Sequence, residues 1–388
     1  MSMTDAGALR ERFERRFARE ATVLADAGGR VNLIGEHTDY HDGFVLPAAI
    51  DLRTLAWGAP RGDRVLRIHS EAVGQTVEVS IDGLEPFSSV DWCSYVVGPL
   101  WALERSGWRF PGADVLVASD VPFGGGLSSS ASVEVGLVGL AAGLMGISMA
   151  PREAARIARK AENEFCHVPC GAMDQVASAC GQEAHALLID CRTLETTAVA
   201  MPSDWAIVVA DSGVRHSLAA GEYAKRQREC ASGLAKLREV HPELKAARDL
   251  TIDVLEEARG RLTDVEHRRL KHVVQENARV LEATGAMERG DAAQMGRLLQ
   301  GSHASLAADY EVSCPELDAL VDLALGIPGV WGARLTGAGF GGNTMNLVPS
   351  NRADEIAMAL ADRQEARTGR RTAVRVVRAS RGLVVTLA

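Results

Sequence analysis

The chain has 388 residues, of which 47% are hydrophobic, and its formal net charge is −9. This length suits two lobes of ordinary domain size, and the composition is that of a globular chain able to bury sizeable cores. We do not expect nucleic-acid binding, because phosphate backbones are held by clustered Lys and Arg that this acidic chain lacks.

Neither export nor membrane insertion is predicted from the sequence. The first twenty residues mix acids with bases around no apolar core, so they fit neither a signal peptide nor a transit peptide. The longest apolar stretch, residues 135–149, is shorter than the roughly 20 residues that span a bilayer, and it predicts a buried helix. Seven cysteines without a paired Cys-x-x-Cys favour a reducing compartment. We therefore expect a cytoplasmic protein.

The predicted elements mix strands and helices without strict alternation. A solvated helix is expected in the first twenty residues. From Ser128 to Phe165 the apolar spacing becomes helical, with Pro151 at a helix start. The predicted strands are 44–50, 64–69, 75–81, 113–118, 184–190 and 205–211. The later predicted helices are 218–238, 262–289 and 291–308, and a strand–helix–strand passage follows at 331–378.

This order of elements predicts an α+β fold with two lobes and a ligand cleft between them. No tandem repeat or Pro/Ser-rich linker marks the boundary, so we place it at 201–204, where Met-Pro-Ser-Asp reads as a connection. The predicted domains are therefore an N-terminal one at 1–200 and a C-terminal one at 201–388.

A glycine- and serine-rich segment, VPFGGGLSSSAS at 121–132, is the sharpest local signal. Glycines let the backbone wrap a ligand, and the free amides at a helix start favour an anion. The hydroxyls of Ser128, Ser129 and Ser130 can bond phosphate oxygens or ligate Mg²⁺. The segment matches neither a Walker loop nor a dinucleotide-binding GxGxxG. It predicts a phosphate-binding loop, and a plain serine-capped helix is the alternative.

A polar cluster at 29–47 carries donors and acceptors suited to a polyhydroxyl ligand, together with a guanidinium able to stabilise phosphoryl charge. Its main members are Arg30, Asn32, Glu36, His37, Asp39 and Tyr40. A polar surface loop is one alternative. Metal binding by His37 and Asp39 is another, although it lacks a third ligand.

Further along, the glycine-rich segment 332–348 lies between a strand ending near Leu335 and another beginning near Thr344. Its glycines predict a close backbone approach to a ligand or a neighbouring loop, and a tight hairpin is the alternative. The four glycines are Gly337, Gly339, Gly341 and Gly342.

Of three smaller features, the first two allow two interpretations each. Glu162 follows Ala158 by one helical turn, so it is either an inward metal ligand or a solvated edge. The cysteines and histidine of 166–170 suggest zinc, but no second ligand pair follows and buried free thiols are preferred. The basic run Lys225–Arg228 is interpreted as a solvated helix face.

Taken in this order, the segments resemble those of the GHMP kinases, and GRVNLIGEHTDY at 29–40 resembles the signature of the galactokinases among them. The resemblance continues through 170–181, 185–196 and 214–230 and covers nearly the whole chain. It implies a two-lobed α+β kinase with its site in the cleft, which moves the terminal phosphate of ATP to the anomeric hydroxyl of galactose. The implied partners are galactose and ATP, with no obligate protein partner.

The resemblance also implies roles for individual residues. The implied sugar contacts are Arg30, Glu36, His37, Asp39, Gly171, Asp174 and Tyr223. The implied nucleotide contacts are Gly124, Gly125, Gly126, Leu127, Ser128, Ser129 and Ser130, with Trp92 and Tyr95 beside the adenine. Ser130 and Glu162 are the implied Mg²⁺ ligands, and Asp174 and Arg30 form the implied catalytic pair.

Two positions depart from the family pattern. Gly29 stands where Pro is usual, which we expect to loosen the approach to Arg30. His41 stands where Asn is common, which we expect to alter a contact at the rim of the site. A catalytically silent sugar sensor and a kinase for another sugar stay open, but the intact GLSSSAS, Asp174 and Arg30 favour an active enzyme.

Overall fold

The computed structural model describes residues 4–215 and 219–388. Within these ranges the strands β1 to β13 are Val23–Asn32, Phe44–Val45, Pro47–Pro60, Val65–Ser70, Gln75–Ser80, Ala113–Ser119, His185–Asp190, Glu195–Ala200, Trp205–Arg215, Gly332–Thr336, Gly341–Pro349, Val374–Val377 and Val384–Leu387. The helices α1 to α11 are Ala6–Phe17, Trp92–Arg105, Ser129–Leu144, Pro151–Lys160, Met173–Cys180, Ala219–Arg238, Ile252–Glu257, Asp264–Glu288, Ala292–Ala308, Pro315–Leu325 and Ala353–Thr368.

A six-stranded sheet organises the N-terminal half, in the order β13-β1-β3-β6-β4-β5. Its neighbours are antiparallel except for β4 and β6, which are parallel. Alternate residues of β3 point to opposite faces, as a pleated strand requires. Ala56 belongs to the core beneath α2 to α5, whereas Leu55 and Trp57 pack against α1. Helices therefore cover both faces of this sheet.

Helix α3 is almost wholly buried against this sheet, and its glycines set how closely it packs. A Cβ at Gly139 would come within 2.7 Å of Leu383, and one at Gly143 within 2.7 Å of Val23 and Val385. These glycines let α3 lie against β1 and β13. The phosphate-loop segment, which ends in α3, is thereby fixed to the first strand.

The C-terminal half is built on a second, antiparallel sheet in the order β10-β11-β9-β12, with α9, α10 and α11 packed on it. A third sheet, β2-β7-β8, lies beside α8. The last strand, β13, returns to pair with β1 in the first sheet. No helix among the described residues is long and apolar enough to cross a membrane.

The predicted α+β class is confirmed, and most predicted elements are present. One strand before the predicted first strand at 44–50 was missed: β1 runs from Val23 to Asn32 and carries Arg30 of the polar cluster. Helix α3 confirms the buried helix, and Pro151 begins α4. Residues 201–204 connect β8 to β9, and the domain boundary placed there stays a prediction.

Candidate active site

Two cavities meet in the cleft between the halves of the molecule. The first has a volume of about 450 Å³ and is lined by the glycine-rich loop, α2 and the end of β4. The second has about 640 Å³ and is lined by the polar segment after β1, α5, α6 and the β10–β11 turn. Arg30, Asp174 and Ala338 line both cavities. Both volumes are typical of small-molecule sites, so the cleft can hold two ligands side by side.

Arg30 and Asp174 form an ion pair at the junction of the two cavities. Arg30 lies near the end of β1, and Asp174 is in the first turn of α5, where a helix dipole favours a carboxylate. Arg30 Nη2 and Nε lie 2.7 and 2.8 Å from Asp174 Oδ1, and Nη1 donates to the Gly126 carbonyl. The Arg30 side chain is 4% exposed and that of Asp174 is 27% exposed. The predicted pair is therefore in direct contact.

The glycine-rich loop forms one wall of the first cavity. Ser128 adopts a left-handed conformation before α3, and its hydroxyl makes no capping bond but donates to Asp174 Oδ2. The serine-capped-helix alternative is therefore wrong. Gly124, Gly126 and the three serines line the cavity. Gly125 instead accepts a hydrogen bond from Asn343, and the Leu127 side chain is buried in the core.

Gly29 brings the backbone of β1 unusually close to this loop. A Cβ there would lie 2.7 Å from the Leu127 carbonyl and 2.9 Å from Val121. The backbone N–H of the next residue, Arg30, donates to the same carbonyl at 3.0 Å. The expected loosening of the approach to Arg30 was therefore wrong, because glycine permits closer packing here.

Aromatic side chains line the wall of the first cavity. Trp92 and Tyr95, which lie on α2, both line this cavity, and Trp92 Nε1 donates to Gln75 Oε1 at 2.9 Å. Phe123 also lines this cavity, with 57% of its surface exposed. Phe123 was not among the predicted site residues. An aromatic directly before a glycine loop was the available signal.

Glu162 is buried, so the solvated-edge alternative is wrong. It lies in a π-helical turn, Ala161–Phe165, and is 6% exposed. It accepts hydrogen bonds from Ser130, from Gln175 Nε2 and from the Cys170 thiol, whose Sγ is 3.4 Å away. Burial, with the nearby Asp174 charge, raises the pKa of Glu162 to about 7.

Ser130 and Glu162 together fit a magnesium ion. Mg²⁺ in phosphoryl-transfer sites takes one or two protein oxygens and fills its remaining positions with phosphate and water. A hydroxyl and a carboxylate in contact, one lining each cavity, are such a donor set. No cluster of three His, Cys, Asp or Glu in the part of the chain that the structure describes could hold a metal alone. The zinc and His37–Asp39 alternatives therefore find no support there.

The second cavity gathers all the predicted sugar contacts. Its lining includes Arg30, Glu36, His37, Asp39, Gly171, Asp174 and Tyr223. Glu36 is fixed from the C-terminal half, since Arg334 Nη2 lies 3.0 Å and the Gly337 amide 2.7 Å from Glu36 Oε1. Tyr40 also lines the wall.

Asp39 is crowded by groups that oppose its ionisation. Burial, with the charges of Asp174 and Glu36, raises the pKa of Asp39 to about 7. Gly171 is necessary beside it, because a Cβ at that position would collide with the Asp39 carboxylate. This wall of the cavity is therefore tightly packed and rich in carboxylates.

Two exposed positions in the predictions are buried in the structure. His41 was expected at the rim, but it lies beneath Tyr40 with its ring centroid 4.6 Å away and is 9% exposed. Arg226 was assigned to a solvated helix face, but it is 6% exposed and donates at 2.8 Å to the carbonyls of Tyr310 and Glu311. Both side chains also contact Tyr310, which is far away in the sequence: His41 Nε2 lies 3.5 Å from its hydroxyl, and Arg226 donates to its carbonyl.

Comparison with known proteins agrees with this geometry. Family profiles of the GHMP kinase N-terminal domain and the GHMP kinase C-terminal region match residues 94–182 and 283–366. A mevalonate kinase from Methanococcus jannaschii shares the fold with a TM-score of 0.65 at 16% identity, over 93% of this chain and 99% of that one. The fold and the cleft therefore define a GHMP kinase.

More specific matches point to one branch. The galactokinase galactose-binding signature matches residues 11–60. The curated galactokinase of Roseiflexus sp. (strain RS-1) is 44% identical over 98% of this chain and 97% of its own length, and that of Chloroflexus aggregans is 44% identical over 92% of each. The structure of Lactococcus lactis galactokinase complexed with galactose superposes with a TM-score of 0.92 at 32% identity, covering 98% of this chain and all of that one. The chain belongs to the galactokinase family.

Proposed function

We propose that the chain transfers the γ-phosphate of ATP to the C1 hydroxyl of α-D-galactose, giving galactose 1-phosphate and ADP. The observation that carries this proposal is the Arg30–Asp174 ion pair at the junction of two ligand-sized cavities. One cavity is built around a phosphate-type loop, and the other around a segment that matches the galactose-binding signature. The sugar hydroxyl that accepts the phosphate and the ATP that donates it would meet at this ion pair.

The nucleotide occupies the first cavity in this proposal. Its phosphates lie against the loop 124–130, where glycine amides and the start of α3 supply donors for anionic oxygens. Its base lies toward Trp92 and Tyr95 on α2. Ser130 and Glu162 would hold Mg²⁺, which supplies charge neutralisation on the phosphates.

The sugar occupies the second cavity. Carboxylates of Glu36 and Asp39 accept hydrogen bonds from its hydroxyls, and Tyr223 closes the wall on the side of α6. The tight contact at Gly171 holds Asp39 in place. The pocket thus presents acceptors to a polyhydroxyl ligand, which is the chemistry that a hexose requires.

Transfer depends on positioning and charge stabilisation more than on covalent help from the protein. Asp174 accepts the proton of the C1 hydroxyl as that oxygen attacks the phosphorus. Arg30, fixed by the Gly126 carbonyl and by Asp174, faces the charge that develops on the transferring group. Burial of Arg30 strengthens this interaction, because water screens it little.

We also propose a cytoplasmic location. All seven cysteines are free thiols, which fits a reducing compartment. Burial raises the pKa of Cys166, Cys170 and Cys191, so these thiols stay protonated and unreactive.

The test is ADP release with Mg·ATP against galactose, glucose, N-acetylgalactosamine, arabinose and galacturonate. The proposal predicts release with galactose far above the other sugars. Release with another sugar alone would keep the mechanism and change the substrate. No release with any of them, together with a galactose- and ATP-dependent association with another protein, would instead indicate a sugar sensor.

A further inference from the structure

A chain of hydrogen bonds runs from the wall of the sugar cavity into the C-terminal half. His37 Nε2 lies 3.1 Å from the Ala338 carbonyl, and His37 Nδ1 lies 2.7 Å from the Tyr40 hydroxyl. The Tyr40 hydroxyl is 2.9 Å from that of Tyr310. Cys230 Sγ lies 3.5 Å from the Tyr310 hydroxyl. We call the members His37, Tyr40 and Tyr310 the aromatic relay.

The direction of each bond follows from the Ala338 end. A carbonyl oxygen only accepts, so His37 Nε2 carries a proton. Burial, with the neighbouring His272, holds the pKa of His37 well below its usual value, so the ring is neutral and Nδ1 is an acceptor. Tyr40 must therefore donate to Nδ1. Because the only hydroxyl proton of Tyr40 is used in that bond, the Tyr40 oxygen accepts a hydrogen bond from the Tyr310 hydroxyl.

Tyr310 is suited to stand at the fixed end of this relay. It is fully buried in the turn after α9 and does not line the sugar cavity. Arg226 Nε donates a hydrogen bond to the Tyr310 carbonyl at 2.8 Å. The Tyr310 ring contacts the rings of His37 and His272, whose centroids are 4.8 and 4.6 Å away. Its hydroxyl cannot touch a sugar, but it can orient Tyr40, which does line the cavity.

We propose that Tyr310 is a positioning residue for the sugar site: its hydroxyl donates to the Tyr40 oxygen and so holds the Tyr40 hydroxyl in place as the donor to His37 Nδ1. This inference rests on the proposed function, since it assigns the second cavity to the sugar. Through the relay, a residue 270 positions further along than Tyr40 orients the Tyr40 hydroxyl on the cavity wall. His41 supports the same end, because its Nε2 lies 3.5 Å from the Tyr310 hydroxyl.

The test is a double-mutant cycle with Tyr310→Phe and Tyr40→Phe. The dissociation constant of galactose is measured by calorimetry, and KM for galactose and ATP by ADP release. Tyr310→Phe keeps the buried ring and removes only the hydroxyl. Loss of one hydrogen bond is expected to weaken galactose binding roughly threefold to tenfold, with KM for ATP unchanged. In the Tyr40→Phe background, Tyr310→Phe should have no further effect on galactose binding.

Thr284→Val is a matched control, since it removes a hydroxyl that bonds only locally, to the Val280 carbonyl on α8. It should leave galactose binding unchanged. The relay is contradicted if Tyr310→Phe binds galactose like the wild type, or if it weakens binding by the same factor in both backgrounds. A wild-type protein that does not bind galactose would overturn both the relay and the proposed function. Binding with unaltered affinity in Tyr310→Phe would overturn the relay alone.

Discussion

At the scale of single residues, the site depends on charges that are buried and paired. Arg30 is almost inaccessible to solvent, and its partners are Asp174 and the Gly126 carbonyl. A buried charge that loses its partner is costly, so each member of the pair fixes the other. This mutual dependence explains why one arginine and one aspartate, 144 positions apart, hold a defined geometry.

We expect Asp174→Asn to abolish turnover while leaving galactose binding largely intact. The amide keeps the shape of the carboxylate but cannot accept the hydroxyl proton, and loss of a general base typically costs about 10²–10⁴-fold. Steady-state kinetics measure the turnover number, and calorimetry measures the dissociation constant of galactose. Near-normal turnover in this variant would remove Asp174 from the mechanism.

We expect Asp39→Asn to stabilise the free protein while weakening galactose binding. The pKa of Asp39 is about 7 in the folded chain against an ordinary value of 3.8, so folding favours its protonated form. Wild-type stability therefore falls as pH rises from about 4 to about 7 and is level above that. The gain in melting temperature from Asn should grow over the same interval and then stay constant.

Thermal unfolding at several pH values, with Asp253→Asn as an exposed control, measures this gain. A gain that is the same at pH 5 and pH 8 would show that Asp39 is not held protonated by its surroundings.

Individual residues also show where sequence reasoning stops. The residue types at 29–47 and 121–132 predict a sugar-binding half and a phosphate-binding half of the site, and both segments line the cleft. They could not predict that Glu162 and Arg226 are buried, because the groups that cover them come from distant segments. Tyr310 gave no local signal, since it reaches the cavity only through contacts with Tyr40 and His37, which are far away in the sequence.

At the scale of elements, two glycine turns interlock at the cleft. Gly126 has φ +76°, and a Cβ there would come within 2.7 Å of the Thr336 carbonyl. Gly337 has φ +88°, and a Cβ there would come within 2.9 Å of Gly126 Cα. The phosphate-loop turn and the β10–β11 turn therefore need glycine both for backbone conformation and for space.

We expect Gly337→Ala to destabilise the protein and to lower kcat/KM at least tenfold, since it displaces Gly126, whose carbonyl holds Arg30. Gly74→Ala is the matched control: Gly74 has φ +71° but open space around it, so it should cost only the conformational strain of about 1–2 kcal/mol. Thermal unfolding and kinetics separate the two variants. Equal effects on both would show that the interlock has no role.

Periodicity predicted most elements but failed for two that shape the site. Strand β1 reads VLADAGGRVN, and its alanines and glycines hide the alternation of a half-buried strand. Helix α2, which carries Trp92 and Tyr95, contains Pro99 and Gly98, which ordinarily argue against a helix interior. In both elements tertiary packing overrides local preference.

At the scale of the whole molecule, the polar segment after β1 joins the two halves. Beside the ion pair of Glu36 with Arg334, Glu276 accepts from the Gly35 amide at 3.0 Å, and His272 Nε2 lies 3.1 Å from the Glu36 carbonyl. These groups are buried and come from β10 and α8. Groups from both halves are therefore needed to complete the sugar cavity.

The C-terminal strand is a second long-range tie, and its deletion is expected to be severely destabilising. Residues 384–387 pair with 23–26, and Leu383 packs on the glycine face of α3. Removing residues 383–388 should expose the edge of β1 and lower the melting temperature by more than about 10 °C, because apolar surface and a strand edge both become exposed. Removal of Ala388 alone is the control.

Thermal unfolding and size-exclusion chromatography check this expectation. A truncated protein that melts like the wild type would show that the last strand is dispensable. No local pattern could have predicted this pairing, because the partners are about 360 residues apart.

The most direct test of the whole account is the position of the phosphate in the product. After incubation with Mg·ATP and galactose, phosphorus NMR should show a single sugar phosphate, coupled to the anomeric proton, forming as ATP is converted to ADP. Phosphate on another carbon, or ADP formed without any sugar phosphate, would contradict an acceptor hydroxyl held at Asp174 and Arg30.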